Sequence, residues 1–551
     1  MTHNRIILVI CLCSLLMIHG CGFLEENPES LLPEEAVITS ASVLHNQAVL
    51  YLYNYIGSHE DGKGIQGMYR GIYDLQTFAS NEAMIPTRGG DWYDGGLWQE
   101  LYYHRWQVDN ECCENAWVYL YQLIGLCNHS LGLLDEYSAL LTAEQMKAYS
   151  AEVRAVRAMC YMYLVDLFAR VPIITKHSIS VHDVVQSPRS EVFRFIWEEL
   201  QAVYPNLVDA RSNSRGVYYG RVTKPVAAFM LMKMALNAEV WTDDDWTDAV
   251  RPSGDTILLC CDSLQKNTWE AVVFYGDEIL GSLAGYELCE SMNECFAVYN
   301  EEAKENIFTI PMDPSVYRHR FKNLFRSLHY QHASALGYGG ENGSCATPAT
   351  LDVFGYGTNQ TDVRFRTSFY AGLIKVNDDT LFLSNGDPLI YQPREVKIDL
   401  TGSPFVATAG ARMQKYAYDV ASIFDGQLRN SDIVLFRLAD VYLMIAEAKV
   451  RAGQSGQEEF DLIRIREVVN APGAVYRPRK ATLENIYYER WMELVWEGWH
   501  RQDMIRFDCY AYPGEFQDLM TPSPNRYLQV FPIPKTARET NPNLKQNPGY
   551  L

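Results

Sequence analysis

Positive charge is what this chain has least of. Its 551 residues carry 47 Lys and Arg against 68 Asp and Glu, a net charge of −21. Binding to a phosphate backbone depends on clustered cations that displace counterions, so nucleic acid is excluded as a partner. Long apolar runs are also scarce. The run from Ile6 to Ile18 is well short of the about 20 residues a spanning helix needs. The most apolar stretch further on, from Ile433 to Val450, is broken by Arg437, Asp440 and Glu447. The interior therefore offers no second membrane span.

Metal-type spacing is missing too. Of 13 cysteines, Cys112-Cys113 and Cys260-Cys261 are adjacent, whereas structural zinc ligands stand at least two residues apart. Cys127 and Cys160 fall on the apolar stripes of predicted helices and read as small buried hydrophobes. Cys289 and Cys295 are candidates for a bridge in an oxidising compartment, with connectivity left open by the sequence. Among His319, His329 and His332 the spacing H-x-x-H occurs without the glutamate of a zincin. Asp243, Asp244 and Asp245 are consecutive and cannot all turn toward one calcium ion, so they read as a solvated loop. Neither a metal nor a cofactor is expected.

What is present starts at the N-terminus. Arg5 precedes the apolar run, which ends at His19-Gly20-Cys21, and an acidic segment with Glu25 and Glu26 follows. This pattern predicts a bacterial secretory signal over 1–20, with Cys21 as a lipidated first residue. His19 stands where a small residue is usual, and an ordinary cleaved signal would share every feature but the lipid. An acyl chain on Cys21 is then the expected membrane anchor.

At 48% hydrophobic and 13% aromatic residues, the chain has material for a large core. Its length suggests two or more units, or one large domain with insertions. Residues 21–250 read as successive helices. Trp117, Leu120, Ile124, Cys127, Leu131 and Leu134 recur in steps of three and four, as do Tyr149, Val153, Val156, Cys160, Tyr163 and Leu167. Thr142 and Gln145 form a capping box for the second helix, and Val171-Pro172 ends it. Ser187-Pro188 opens a third helix, with Val192, Phe195, Ile196, Leu200 and Val203 inward. A fourth covers Pro225 to Val240. Short connections between such helices predict antiparallel pairs. Trp117 and Leu120 have the relation of a tetratricopeptide signature, but Tyr121 occupies the place of its glycine.

Residues 251–430 are richer in glycine, asparagine and aromatics, with strand-like runs at Ala271–Phe274, Asn306–Ile310 and Thr380–Leu383. A loop-rich insert of this kind is where binding function concentrates. In 431–551, helix returns at Ser431 with Leu435, Leu438, Tyr442 and Ile445 on its stripe. Two more helices are predicted at Glu458–Val469 and Leu483–Trp499, then an extended tail. Glu489, Glu493 and Glu497 repeat every four residues and require cations to answer them. Arg490, Arg501 and Arg506 are the nearest candidates.

Five segments in order resemble one family, the SusD/RagB outer-membrane nutrient-binding lipoproteins. They are FLEENPES (23–30), SNEAMIPTRGGDWYDGGLW (80–98), EVRAVRAMCYMYLVDLFARVPIIT (152–175), DIVLFRLADVYLMIAEAKVRAG (432–453), and ERWMELVWEGWHRQDMIRF with FPIPKTARETNPNLKQNPGY. His500 is a local departure. The resemblance implies a mainly α fold, in which tetratricopeptide-like helix pairs form a body and a loop-rich mixed lobe carries the ligand site. It also implies a glycan or other nutrient ligand, no catalysis, and a SusC-like TonB-dependent transporter as partner.

A glycan site needs flat apolar faces for sugar rings and planar polar groups for hydroxyls. The stretch from Asn81 to Trp98 has both. Asp91, Trp92, Tyr93 and Asp94 lie between Gly89-Gly90 and Gly95-Gly96, and Asn81, Glu82 and Arg88 are candidate polar contacts. The resemblance favours Trp92 over Tyr93. A core plug at Trp92 and a turn cap at Asp91 would fit the same residues. From the insert, Tyr286, Tyr299 and Tyr338 are chosen as further platform residues out of a group that includes Phe296 and Tyr330. The expected function is a surface glycan-binding lipoprotein that delivers oligosaccharide to the transporter. A lipoprotein glycosidase and a peptide-binding helical scaffold are the alternatives. Which glycan is bound is not written in the sequence.

Overall fold

The computed structural model describes residues 38–57, 63–315, 320–469, 471, 474–510 and 525–551. The signal over 1–20, Cys21, Glu25, Glu26 and His319 lie outside the described residues. Among those described, no helix is long and apolar enough to cross a membrane.

The body is built as the periodicity predicts. Helix α1 (Glu111–Glu136) starts where the Asn110 side chain accepts from the backbone amides of Cys112 and Cys113. Helix α2 (Ala143–Phe168) starts at the Thr142 capping box with Gln145, both bonds present. Only 137–142 separate the two helices, so the chain doubles back and their apolar stripes meet. Leu120, Ile124, Cys127, Val153, Val156 and Cys160 are all buried there. Helix α3 (Arg189–Val203) follows Pro188, whose fixed φ suits a helix start, and packs on α2. Phe193 takes a core position beside Val192 and Ile196, while Phe195 is only partly buried.

Helix α4 (Lys224–Leu236) is buried on nearly every side, which explains its lack of a polar stripe. It packs on helix α5 (Thr268–Leu280). The strand expected at Ala271–Phe274 lies inside α5 instead. The capping box of Asn267 and Glu270 nucleates a helix there, and local capping outweighs a four-residue apolar run that fits either structure.

Strand β1 (Asn306–Ile310) forms as expected and pairs antiparallel with strand β2 (Ile433–Arg437). That second strand replaces the start of the predicted helix: helix α6 begins only at Leu438 and runs to Arg451. All five residues of β2 are buried. A fully buried strand leading into a buried helix has no change of polarity to mark the boundary. Gly276 of α5 lies so close to Ile445 of α6 that a Cβ would sit 2.6 Å from its side chain. Helix α7 (Gln457–Val469) packs on α6. The last predicted helix is two, α8 (Leu483–Leu494) and α9 (His500–Arg506), separated by Trp496 and Gly498 in left-handed backbone. Every sheet among the described residues is two-stranded. At Thr380–Leu383 only Asp379–Thr380 pairs as strand, with Lys375–Val376.

Glu489, Glu493 and Glu497 are answered by cations, but by others than the sequence suggests. Arg364 binds Glu489 at 2.7 Å and Glu493 at 3.0 Å. Arg437 at the end of β2 reaches Glu493 at 2.6 Å, Glu497 at 2.8 Å and Glu305 at 2.8 Å. Lys415 binds Glu497, and Arg466 binds Glu305 and Glu493. Burial alone would raise the Glu493 carboxyl, yet Arg466, Arg437 and Arg364 hold it well below the usual carboxylate range. Arg490 turns instead to Asp440 and Asp503, Arg506 to Glu447, and Arg501 to Asp166.

Candidate functional site

The loop over 85–98 is shaped by its glycines. Arg88 and Asp91 exchange backbone bonds of 2.9 and 3.2 Å across Gly89-Gly90, a hairpin with Gly89 at φ +67°. Trp92 and Asp94 then adopt left-handed backbone at φ +62° and +44°, followed by Gly95 and Gly96. For a residue with a Cβ this conformation costs about 1–2 kcal/mol, and such strain persists only where the surroundings over-determine it. Here they do. Trp92 Nε1 donates to the carbonyl of Glu341 at 2.8 Å, and its ring lies against Gly343, where a Cβ would come within 2.7 Å. Trp98 meets the Trp92 ring edge to face at 6.0 Å and donates to Asp94 at 2.7 Å.

These contacts form one wall of a surface groove of about 350 Å³, within the range of small-ligand sites. Asp91, Trp92, Asp94 and Trp98 come from the early loop. Tyr69 and Arg70 precede it, and Lys322, Arg326, Tyr330 and Glu341 come from the insert. Tyr69 and Tyr330 are each 46% exposed, enough to present ring surface. The Tyr330 hydroxyl donates to Asp91 at 3.1 Å, and burial together with that carboxylate raises its pKa.

Each cation here is answered by a carboxylate. Arg70 binds Glu111 at 2.6 Å and lies 3.3 Å from Asp94. Lys322 lies 3.3 Å from Glu341 and 5.0 Å from the centre of the Tyr69 ring. Arg326 pairs with buried Asp74 and stands 5.6 Å over Trp98.

Of the residues singled out in the sequence, Asp91, Trp92 and Asp94 meet in this groove. Tyr93 and Tyr299 are exposed but outside its lining. Five others are corrected, because the structure buries them. Asn81 accepts a bond from His500 at 2.7 Å, and Glu82 accepts one from the amide of Trp496 at 2.9 Å. Arg88 spends its guanidinium on the carbonyls of Val406 and Ala409, both at 2.9 Å; burial and neighbouring Arg412 lower its pKa to about 9. Tyr286 is core, and Tyr338 holds Asp419 through bonds at its hydroxyl. All five are buried and stand outside the lining of the groove.

Tyr69, Arg70, Lys322, Arg326 and Glu341 were not legible as site residues, since they gather only when the insert folds over the early loop. The pairing of Ala83-Met84 with Cys345-Ala346 carries out that closure. His329 and His332 are buried beside Tyr391, and burial lowers both pKa values to about 4. Asp244 holds Ser190, while Asp243 and Asp245 cap their own turn, so the acidic run is not gathered around one point.

Fold and groove define a helical protein with an aromatic surface cleft closed by a loop-rich insert. The SusD family pattern matches residues 304–550, and a pattern described as "Starch-binding associating with outer membrane" matches 23–236. The starch-binding protein SusD of Bacteroides thetaiotaomicron is 24% identical over 89% of this chain and 87% of its own length. Among solved structures, surface glycan-binding protein A from Bacteroides fluxus superposes with a TM-score of 0.69 at 17% identity, covering 93% of this chain and 100% of that one. The protein of that name from Bacteroides thetaiotaomicron, in complex with laminarihexaose, gives 0.67 at 18% identity over 92% and 100%. The chain belongs to the SusD/RagB family.

Proposed function

We propose that this protein is a non-catalytic glycan-binding lipoprotein of the outer membrane. It holds a neutral oligosaccharide in the Trp92 groove and passes it to a TonB-dependent transporter. Lipid on Cys21 tethers it at the cell surface. The observation that carries the reading is the groove itself. Three aromatic side chains, Trp92, Tyr69 and Tyr330, are presented beside paired carboxylates and cations, which is the mixture that sugar rings and hydroxyls require. The starch- and laminarin-related descriptions of relatives support a glycan as the ligand class.

Charge favours a neutral glycan. Arg70, Lys322 and Arg326 are already paired, so a uronate or sulfate would have to displace a carboxylate, against a chain of net charge −21. Two carboxyls that burial pushes up toward neutrality are not placed for hydrolysis. Glu82 and Asp432, raised by burial to about 8 and about 7, both face the interior, whereas a glycosidase acid must reach the leaving oxygen.

Native gels and calorimetry with starch and laminarin fragments test the reading. Trp92→Ala is expected to weaken binding at least about tenfold, or roughly 1.4 kcal/mol, with unchanged circular dichroism. Unaltered retardation of that variant would remove the groove from the proposal. Release of reducing sugar, abolished by one carboxylate substitution, would replace binding with hydrolysis.

A further inference from the structure

Outside the groove, one pair of reactive side chains has no role in the reading above. Cys289 lies in the irregular run before the short helix Met292–Cys295, and Cys295 ends that helix. Their Sγ atoms and a Glu305 carboxylate oxygen all lie within 4.8 Å of one another. Three such ligands invite a metal reading, but Glu305 is already engaged. Its two oxygens accept from Arg437 at 2.8 Å, from Arg466 at 2.7 Å and from the Cys289 amide at 3.1 Å. Two guanidinium groups at the carboxylate repel a further cation.

The surroundings hold the two thiols in register. The Cys289 amide is fixed on Glu305. The Cys295 carbonyl accepts from Asn300 at 2.6 Å and from Asn306 at 3.0 Å. A χ1 change between staggered wells moves a sulfur by about 3 Å, enough to bring two sulfurs within 4.8 Å to the bonded separation of about 2.05 Å. The Cys295 thiol, hydrogen-bonded to Cys289, holds the Cys289 thiol below its ordinary pKa, while burial pushes Cys295 well up. Cys289 is also the less deeply buried of the two, at 8% exposure against 0%. All ten described cysteines are free thiols in this structure.

We infer that Cys289 and Cys295 are an oxidisable pair that closes to a disulfide when the folded chain meets a dithiol–disulfide carrier outside the cytoplasm. The Cys289 thiolate attacks one sulfur of the carrier disulfide and expels the other as thiolate, giving a mixed disulfide. Cys295 then loses its proton and attacks the Cys289 sulfur, expelling the second carrier thiolate. Two electrons pass to the carrier, the two cysteine protons end on its thiols, and one S–S bond is formed in the protein. Closure in the cell rests on the export reading above; closure in the test tube does not.

The test uses the full-length chain, purified reduced and incubated folded with oxidised glutathione. It is then alkylated after denaturation. Both cysteines fall in the tryptic peptide spanning 267–304, which is expected about 2 Da lighter and unalkylated. Cys295→Ser is expected to trap glutathione on Cys289. Two alkylated cysteines after this treatment, or zinc bound one to one and lost in Cys289→Ser, would overturn the pair. The same peptide from protein isolated from its own cells is expected closed. An open pair there, alongside closure in vitro, would overturn the export reading and leave the pairing standing.

Discussion

At the scale of single residues, Glu82 and Trp92 are close in sequence and opposite in role. Trp92 spends its polar edge on Glu341 and keeps ring surface for the groove. Glu82 is sealed in the interior, where burial raises its carboxyl from 4.5 to about 8 against the opposing bond from the Trp496 amide. A carboxyl whose folded pKa exceeds its unfolded value contributes stability that is full below the unfolded pKa. That contribution is lost as pH rises through the folded pKa. Between pH 5 and pH 9 the melting temperature of the natural protein is therefore expected to fall more than that of Glu82→Gln, which mimics the protonated acid and keeps the acceptor for Trp496. Parallel melting curves for the two would show that Glu82 is not protonated in the fold.

At the scale of elements, the strand β2 and helix α8 meet through Arg437. One guanidinium serves Glu305, Glu493 and Glu497 with essentially no solvent contact. Removing one partner of a buried ion network leaves the others uncompensated, at a cost of about 3–5 kcal/mol. Arg437→Ala is accordingly expected to lower the denaturation midpoint sharply, and a midpoint within error of the natural protein would mean the carboxylates are answered without it.

The same elements show where the sequence is legible. The pair α1–α2 follows from its heptad-like stripe and from Thr142, because both signals are local. Residues 251–430 are legible as loop-rich from glycine, asparagine and aromatic content together, not from one local signal. The boundary between β2 and α6 is not legible, since both sides of it are buried. In the site, glycine spacing marks the Trp92 loop. But polarity is a poor guide to exposure when a buried partner waits far along the chain, as for Asn81, Glu82 and Arg88. The same distance hides Lys322, Arg326 and Glu341, whose membership in the groove is decided by the pairing of 83–84 with 345–346.

At the scale of the whole molecule, a net charge of −21 and a groove of paired charges make opposite demands on salt. A neutral ligand has no charge for ions to screen, so its affinity is expected to change less than about twofold between low salt and 0.5 M, where the Debye length is only about 4 Å. An anionic polysaccharide is expected to bind weakly at low salt and to gain as the repulsion is screened. Calorimetry across a salt series separates the two, and a neutral glycan that loses affinity steeply with salt would contradict the groove's charge balance.

The bonds from Asn81 to His500 and from Glu82 to Trp496 span 419 and 414 residues. They tie the root of the Trp92 loop to a segment that is synthesised long after it. No N-terminal fragment ending before Trp496 contains both ends of either tie, so the loop has no firm base until that segment has been made. Under the proposed function, ligand capture in the Trp92 groove is thereby coupled to synthesis of that later segment: a chain truncated before Trp496 has the tryptophan but lacks the support that aims it.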